Sequence, residues 1–288
     1  MNAIDLFAQR VNFAPTCDAR SLKRIAQAIR ATVVELSHRG DAPHLGSSLS
    51  CADILAVAYW GVLRVDPRHP RAAERDRFIL SKGHAATTLY ASLALRGFFP
   101  AAMLDFFNAD GGVLAEHPGP ECVAGVEAAT GSLGHGLPIG VGMALAARIQ
   151  KLDYRVFVTL SDGECNEGSV WEAAMFAAGR SLDRLCSIID YNKWQATDRS
   201  DEVLALAPLV DKWRSCGWQA LELDGHDTAA LLQAMGDVPA RSGRPTAIIA
   251  HTVKGKGVSF MEDDNNWHYR VPTSEEVLAA FDQLQASL

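Results

Sequence analysis

The chain has 288 residues, 48% hydrophobic and 21% charged, with a formal net charge of −7; this is the composition of a globular protein, and its negative balance argues against general nucleic-acid binding. No apolar run reaches the roughly 18 residues of a membrane span, and Met1 to Arg10, with Asp5 and no long apolar core, does not fit a signal peptide. A cytoplasmic protein is expected, and its six cysteines, which form no C-x-x-C pair and no zinc-finger spacing, are expected as reduced, mostly buried thiols.

Residues 1–20 read as an N-terminal extension. From Ser21 to His38, apolar residues at Leu22, Ile25, Ala26, Ile29, Val33, Val34 and Leu36 have helical spacing, with Ser21 placed to cap the helix. A Pro/Gly loop over Gly40 to Ser48 leads to a second helix from about Leu49 to Leu63. Phe78 to Leu80 is a short apolar run ending in Ser81-Lys82-Gly83-His84, and Ala85 to Arg96 is helical again. Asn108 to Gly134 is rich in Gly and Pro and lacks periodicity; a loop of that length inside a compact domain points to function.

Arg155 to Leu160 reads as a buried strand, Ser161 to Gly168 as a turn, Ser169 to Gly179 as a helix, and Leu185 to Asp190 as a second buried strand. That is a βαβ unit with parallel strands. Trp218 to Leu223, a helix from about Thr228, and Thr246 to Ala250 repeat the pattern, and Thr273 to Leu284 is amphipathic. The expected fold is one α/β domain over residues 1–288, a doubly wound, mostly parallel sheet flanked by helices, with ligands at the carboxyl ends of its strands.

Those strand ends carry the chemistry. The first gives Ser161-Asp162-Gly163-Glu164 and the second Asp190-Tyr191-Asn192-Lys193-Trp194. Asp162 and Asn192 offer hard oxygen ligands for Mg²⁺ or Ca²⁺, and a backbone carbonyl near Trp194 can add a third. Gly163 lets the backbone approach a phosphate, whose charge a following helix N-terminus favours. Taken alone, the pair also fits a helix-start aspartate and a turn asparagine.

The segment resembles the thiamine-diphosphate motif, which begins G-D-G and ends in N about thirty residues on; Ser161 stands here for the first glycine. Further segments resemble transketolases: His44-Leu45-Gly46-Ser47-Ser48, Ser81-Lys82-Gly83-His84-Ala85, His117-Pro118-Gly119, Thr130-Gly131-Ser132-Leu133-Gly134-His135-Gly136, Val253-Lys254-Gly255-Lys256-Gly257 and Trp267-His268. Their order matches the N-terminal half of that family from about Ser21 onward. The resemblance implies thiamine diphosphate and Mg²⁺ (Ca²⁺ as a substitute), with Asp162, Asn192 and Trp194 at the metal. His84, Gly131, Leu133, Asp162, Gly163, Glu164, Asn192 and His268 would be at the cofactor. His44 and His117 would face the donor hydroxyls, with His84 and His268 between the diphosphate and the substrate channel. Glu167 and Glu172 would lie at an intersubunit contact in a proton relay. His38, His69 and His226 match no motif, and His135 stands where glutamine is common.

The implied activity is transfer of a two-carbon ketol unit from a ketose, or ketose phosphate, to an aldose, or aldose phosphate. The implied partner is a separate C-terminal, pyrimidine-binding transketolase chain, and the implied assembly is an α2β2 heterotetramer. Rival readings are another thiamine-diphosphate enzyme, such as a dehydrogenase E1 α-subunit or a xylulose-phosphate synthase-like protein; a specialised transketolase using an unusual sugar or an α-keto acid; and a non-catalytic cofactor-binding or regulatory subunit. Glu116 and Tyr269 stand where glycine is usual, both near the expected substrate mouth.

Overall fold

The computed structural model describes residues 3–288. A short helix, α1 (Ala3–Ala8), precedes α2 (Ala19–Arg39). Phe7 and Val11, in the stretch read as an extension, pack into the same core as Leu22, Ile25 and Ile29 of α2. The cap of α2 is Asp18 and not Ser21: the Asp18 carboxylate accepts from the Ser21 backbone N–H at 2.8 Å and from its hydroxyl at 2.7 Å. An anionic acceptor satisfies the free N–H groups of the first turn and complements the helix dipole.

The helix expected from Leu49 to Leu63 is broken. It runs as α3 (Leu45–Ser50) and α4 (Ala52–Ala56) and then widens into a π-turn over Val57–Val62. Side chains have taken the carbonyls that a continuous helix would use. The Ser47 carbonyl accepts from Lys82 Nζ at 2.8 Å and Ser50 Oγ at 2.9 Å, and the Ser48 carbonyl from Thr88 Oγ1 at 2.7 Å. Next come β1 (Arg77–Leu80) and α5 (Ala86–Arg96), and from Phe107 to His135 the chain forms neither helix nor strand.

Helix α6 (Gly136–Gln150) is not legible in the sequence, because Pro138, Gly140 and Gly142 dilute its pattern. A Cβ on Gly140 would lie 2.5 Å from Val158 Cγ2, so glycine is what lets α6 lie flat on the sheet. The remainder is β2 (Val156–Ser161), α7 (Gly168–Gly179), β3 (Leu185–Tyr191), α8 (Ser200–Val203), α9 (Leu209–Ser215), β4 (Gln219–Asp224), α10 (Thr228–Gly236), β5 (Thr246–His251) and α11 (Ser274–Ala286). Thr273 and Glu276 close a capping box on α11.

The strands form a parallel sheet in the order β1-β2-β3-β5-β4. Alternate side chains serve opposite faces, as the pleat requires. Phe78, Phe157, Ile188 and Ile248 face the core built with α2, α4 and α5, whereas Ile79, Val158, Ile189 and Ile249 face the core built with α6, α7 and α9. All parallel strands point the same way, so β1, β2, β3 and β5 deliver Ser81, Asp162, Asn192 and Thr252 to one edge of the sheet. The six cysteines are free; Cys51, Cys165 and Cys186 are buried, and Cys17 is exposed.

Candidate active site

At that edge lies a cavity of about 350 Å³ whose walls include His44, His84, His117 and His268. Each imidazole comes from a different segment. His44 sits in the left-handed region (φ 68°) just before α3, and its backbone N–H donates to the His268 carbonyl at 2.8 Å, which docks the two segments together. The His44 ring centroid is 4.9 Å from that of His268, 5.4 Å from His84 and 6.0 Å from His117. His117, on the long loop, is exposed at the mouth.

His44, His84 and His268 are held neutral. Burial, followed by Lys82 and the neighbouring imidazoles, pushes His84 well below its ordinary value. Burial and the adjacent Lys254 push His268 down to about 3. His44 is also lowered, chiefly by burial, against the pull of Glu116. Lys254 is itself lowered to about 8, by burial and by Lys82. Its Nζ donates to Asn265 Oδ1 at 2.7 Å and lies 3.1 Å from His268 Nδ1, while Ser47 Oγ lies 2.9 Å from His84 Nε2.

Asn192 lines the cavity floor, and Asp162 is buried behind it between the lining residues Ser161 and Gly163. The fully buried Asp162 carboxylate accepts from Gly163 N through Oδ1 (3.0 Å), and from Lys193 N (2.9 Å) and Ser200 Oγ (2.7 Å) through Oδ2. Asn192 Oδ1 accepts from Trp194 N at 3.1 Å. A carboxylate offers about four lone-pair sites and an amide oxygen two, so each group keeps an acceptor position for a cation. Among the described residues no trio of His, Cys, Asp or Glu clusters in the manner of a softer metal site. Behind the floor, the fully buried Lys82 pairs with Asp190 at 2.5 Å, and Ser50 Oγ donates to the same carboxylate at 2.6 Å.

The wall opposite is the end of the long loop. Gly131 (φ 141°) presses on His117, whose Cδ2 lies 2.8 Å from where a Cβ would be. Gly131 and Leu133 line the cavity as expected. The Glu164 carboxylate does not open on it: it is buried, and accepts from Ser81 Oγ (2.5 Å), Ser161 N (2.9 Å) and Gly134 N (3.0 Å). It therefore ties the loop to the ends of β1 and β2, and any cofactor contact at Glu164 falls to its backbone. Glu167 reaches the cavity rim, whereas Glu172 is exposed along α7 near Met175 and Phe176.

Other residues line the cavity as well, among them Ser47, Lys254, Asn166 and Gln195. Ser47 and Lys254 fall inside recognisable motifs that give them no role, and sequence reasoning passes over Asn166 and Gln195. Asn166 Oδ1 and Gln195 Nε2 are buried without a partner, an acceptor and a donor left for something polar. The one available signal for Gln195 is that it follows Trp194 directly. His38, His69, His226, His135 and His251 lie outside the cavity. His226 is structural: its Nδ1 is 2.8 Å from Asp53 Oδ2, and its Nε2 accepts from Val253 N at 2.9 Å.

Residues 21–284 match the thiamine diphosphate binding domain of transketolase. The chain belongs to the transketolase family. It is 41% identical over 247 residues to an apulose-4-phosphate transketolase subunit of Phocaeicola vulgatus, covering 86% of this chain and 88% of that one. It is 41% identical over 264 residues to the 6-deoxy-6-sulfo-D-fructose transketolase subunit SqwG of Clostridium sp. (strain MSTE9), covering 92% and 96%. Against human transketolase the identity is 38% over 86% of this chain, which spans only 40% of the human protein. The crystal structure of transketolase from Campylobacter jejuni superposes with a TM-score of 0.86 at 28% identity, covering 92% of this chain and 42% of that one. The chain thus corresponds to the N-terminal, thiamine-diphosphate-binding part of a transketolase. The residues present fit that cofactor: an oxygen donor set with free lone pairs, unpartnered polar atoms at Asn166 and Gln195, and a glycine-lined wall at Gly131.

Proposed function

We propose that the chain binds thiamine diphosphate through Mg²⁺, with Ca²⁺ as a substitute, and transfers a two-carbon ketol unit from a ketose phosphate to an aldose phosphate. In this reading it works in the cytoplasm with a C-terminal, pyrimidine-binding partner chain, the two forming an α2β2 heterotetramer. The observation that carries the reading is the set of half-buried imidazoles, His84 and His268 among them, held neutral in one cavity with Asn192 and with Ser161 and Gly163, the neighbours of Asp162. The cofactor, when bound, supplies the electron sink for carbon–carbon cleavage.

The chain's own residues do the rest. Asp162, Asn192 and the Trp194 carbonyl hold the metal; Gly163, Gly131, Leu133 and the Glu164 backbone close around the cofactor. His84 and His268 stand between its diphosphate and the channel, orienting both. His44 and His117 face the donor hydroxyls, where a neutral ring nitrogen takes the hydroxyl proton as the bond breaks. Glu167 and Glu172 meet the partner side of the site; the exposed Ile149 of α6 and Met175 and Phe176 of α7 support an interface there. The partner rests on the relatives of matching length, which are named as subunits. Those names specify apulose-4-phosphate and 6-deoxy-6-sulfo-D-fructose, which supports a specialised sugar as donor.

The test combines binding and turnover. Calorimetry with thiamine diphosphate, in Mg²⁺ and in EDTA, should give tight binding only with metal. Ketol transfer should be absent with either chain alone and appear on mixing the two. Equal affinity in EDTA would remove the metal, and sustained turnover by this chain alone would overturn the two-subunit reading.

A further inference from the structure

Against His44, and next in sequence to His117, a carboxylate stands beside the cavity lining that the histidine chemistry does not require. Glu116 places Oε1 3.0 Å from His44 Nδ1, with 34% of its side chain exposed. His44 Nδ1 has no partner besides this contact. Charge around the cavity is divided. The cation, Lys254, lies beside His268 and Asn265, and the anion lies at the rim beside His44. His44 does not cancel that anion, because burial, His117 and Lys254 together outweigh Glu116 and keep the ring neutral.

We propose that Glu116 selects the donor, admitting a hydroxyketone that is uncharged beside its carbonyl and disfavouring an α-keto acid, whose carboxylate, bonded to the carbonyl carbon, would share the rim with it. The inference rests on the ketol-transfer reading, in which His44 faces the donor. Both donor classes deliver the same two-carbon unit. A ketose breaks the bond between its carbonyl carbon and the next carbinol carbon; the carbinol hydroxyl gives its proton to an imidazole and the fragment leaves as an aldehyde. A hydroxylated α-keto acid breaks the bond to its carboxylate, which leaves as carbon dioxide with no hydroxyl proton to move. The two therefore differ at the position that faces His44: a hydroxyl, which a carboxylate or a neutral imidazole accepts from, or an anion, which Glu116 repels. Like charges brought together in a partly shielded site lower kcat/KM by roughly ten- to a hundredfold.

The experiment uses the assembled two-subunit enzyme with one aldose-phosphate acceptor and two donor probes, β-hydroxypyruvate and L-erythrulose. The quantity read is the ratio of their kcat/KM values in the native enzyme, Glu116→Gln and Glu116→Asp. The ratio should rise about ten- to a hundredfold in favour of hydroxypyruvate in Glu116→Gln, mainly through its KM, and stay near native in Glu116→Asp, which keeps the charge. In the native enzyme the ratio should also rise as salt is raised, because an exposed rim charge is screened, whereas in Glu116→Gln it should be flat. A purely structural role would not produce that salt response. An unchanged ratio in Glu116→Gln, with L-erythrulose turned over, overturns the role of Glu116 and leaves ketol transfer standing. If the assembled native enzyme turns over neither donor, the ketol-transfer reading falls and this inference with it.

Discussion

Lys254 decides where the hydrogen of His268 sits. With its value near 8, Lys254 is mostly an ammonium at neutral pH, and an ammonium can only donate. The neutral His268 ring must then accept at Nδ1 and carry its hydrogen on Nε2. His44 and His117 have no such cation as a hydrogen-bond partner, which suits groups that exchange protons with a substrate. In the assembled enzyme, His44→Ala and His117→Ala should each lower turnover by about 10²–10⁴-fold and leave thiamine diphosphate affinity nearly unchanged, by steady-state kinetics and calorimetry. Undiminished turnover in both would remove them from proton transfer, and lost affinity would make them structural. The four motif histidines are legible because each sits in a recognisable short pattern. Asn166 is not, because only the fold reveals that its carbonyl oxygen is buried without a partner.

At the scale of elements, the strands read well in the sequence and the helices unevenly. Runs such as Val156–Ser161 and Leu185–Tyr191 are fully buried, so they are mostly apolar and stand out. Helix α6 hides because its contact with β2 selects for small residues, which carry no helical stripe. Gly140→Val should force α6 off the sheet, against Val158, and cost about 1–3 kcal/mol, read as a lower urea midpoint at constant slope. An unaltered midpoint would mean the packing relaxes freely. The break between α3 and α4 is illegible for a different reason: its cause lies in Lys82 and Thr88, remote in sequence, which reach in and occupy the Ser47 and Ser48 carbonyls.

For the whole molecule, the neutral imidazoles imply a pH dependence of folding. A histidine whose folded value lies below its unfolded value of about 6.5 binds its proton more readily when unfolded, so stability falls as pH drops below 6.5. For His268 the loss continues down to about 3. The slope from the buried His84 approaches ~1.4 kcal/mol per pH unit, with less from the partly exposed His268. Asp53, lowered to about 2 by Arg30 and His226 against its burial, loses its contribution only further into acid. Asp162, raised to about 6 by burial, acts in the opposite sense as pH falls. Comparing native chain with His84→Gln isolates the imidazole: urea midpoints between about pH 7.5 and pH 5 should fall more steeply for the native chain. Parallel profiles would contradict a neutral, buried His84. The fold class is legible from the alternation of buried strands with helices, but the strand order, with β5 between β3 and β4, is not. It depends on which crossovers pack, and no local pattern encodes that.

The hydrogen bond from His44 N–H to the His268 carbonyl joins residues far apart in the chain. Contacts of such separation, like the parallel strand pairs beneath them, form late and slowly because loop closure must come first. During translation, every segment of the cavity except the last would already be outside the ribosome before His268 emerged. A nascent chain therefore has no complete cofactor pocket until that residue arrives. A ligand held by that pocket favours chains folded as far as His268 over those folded only in part.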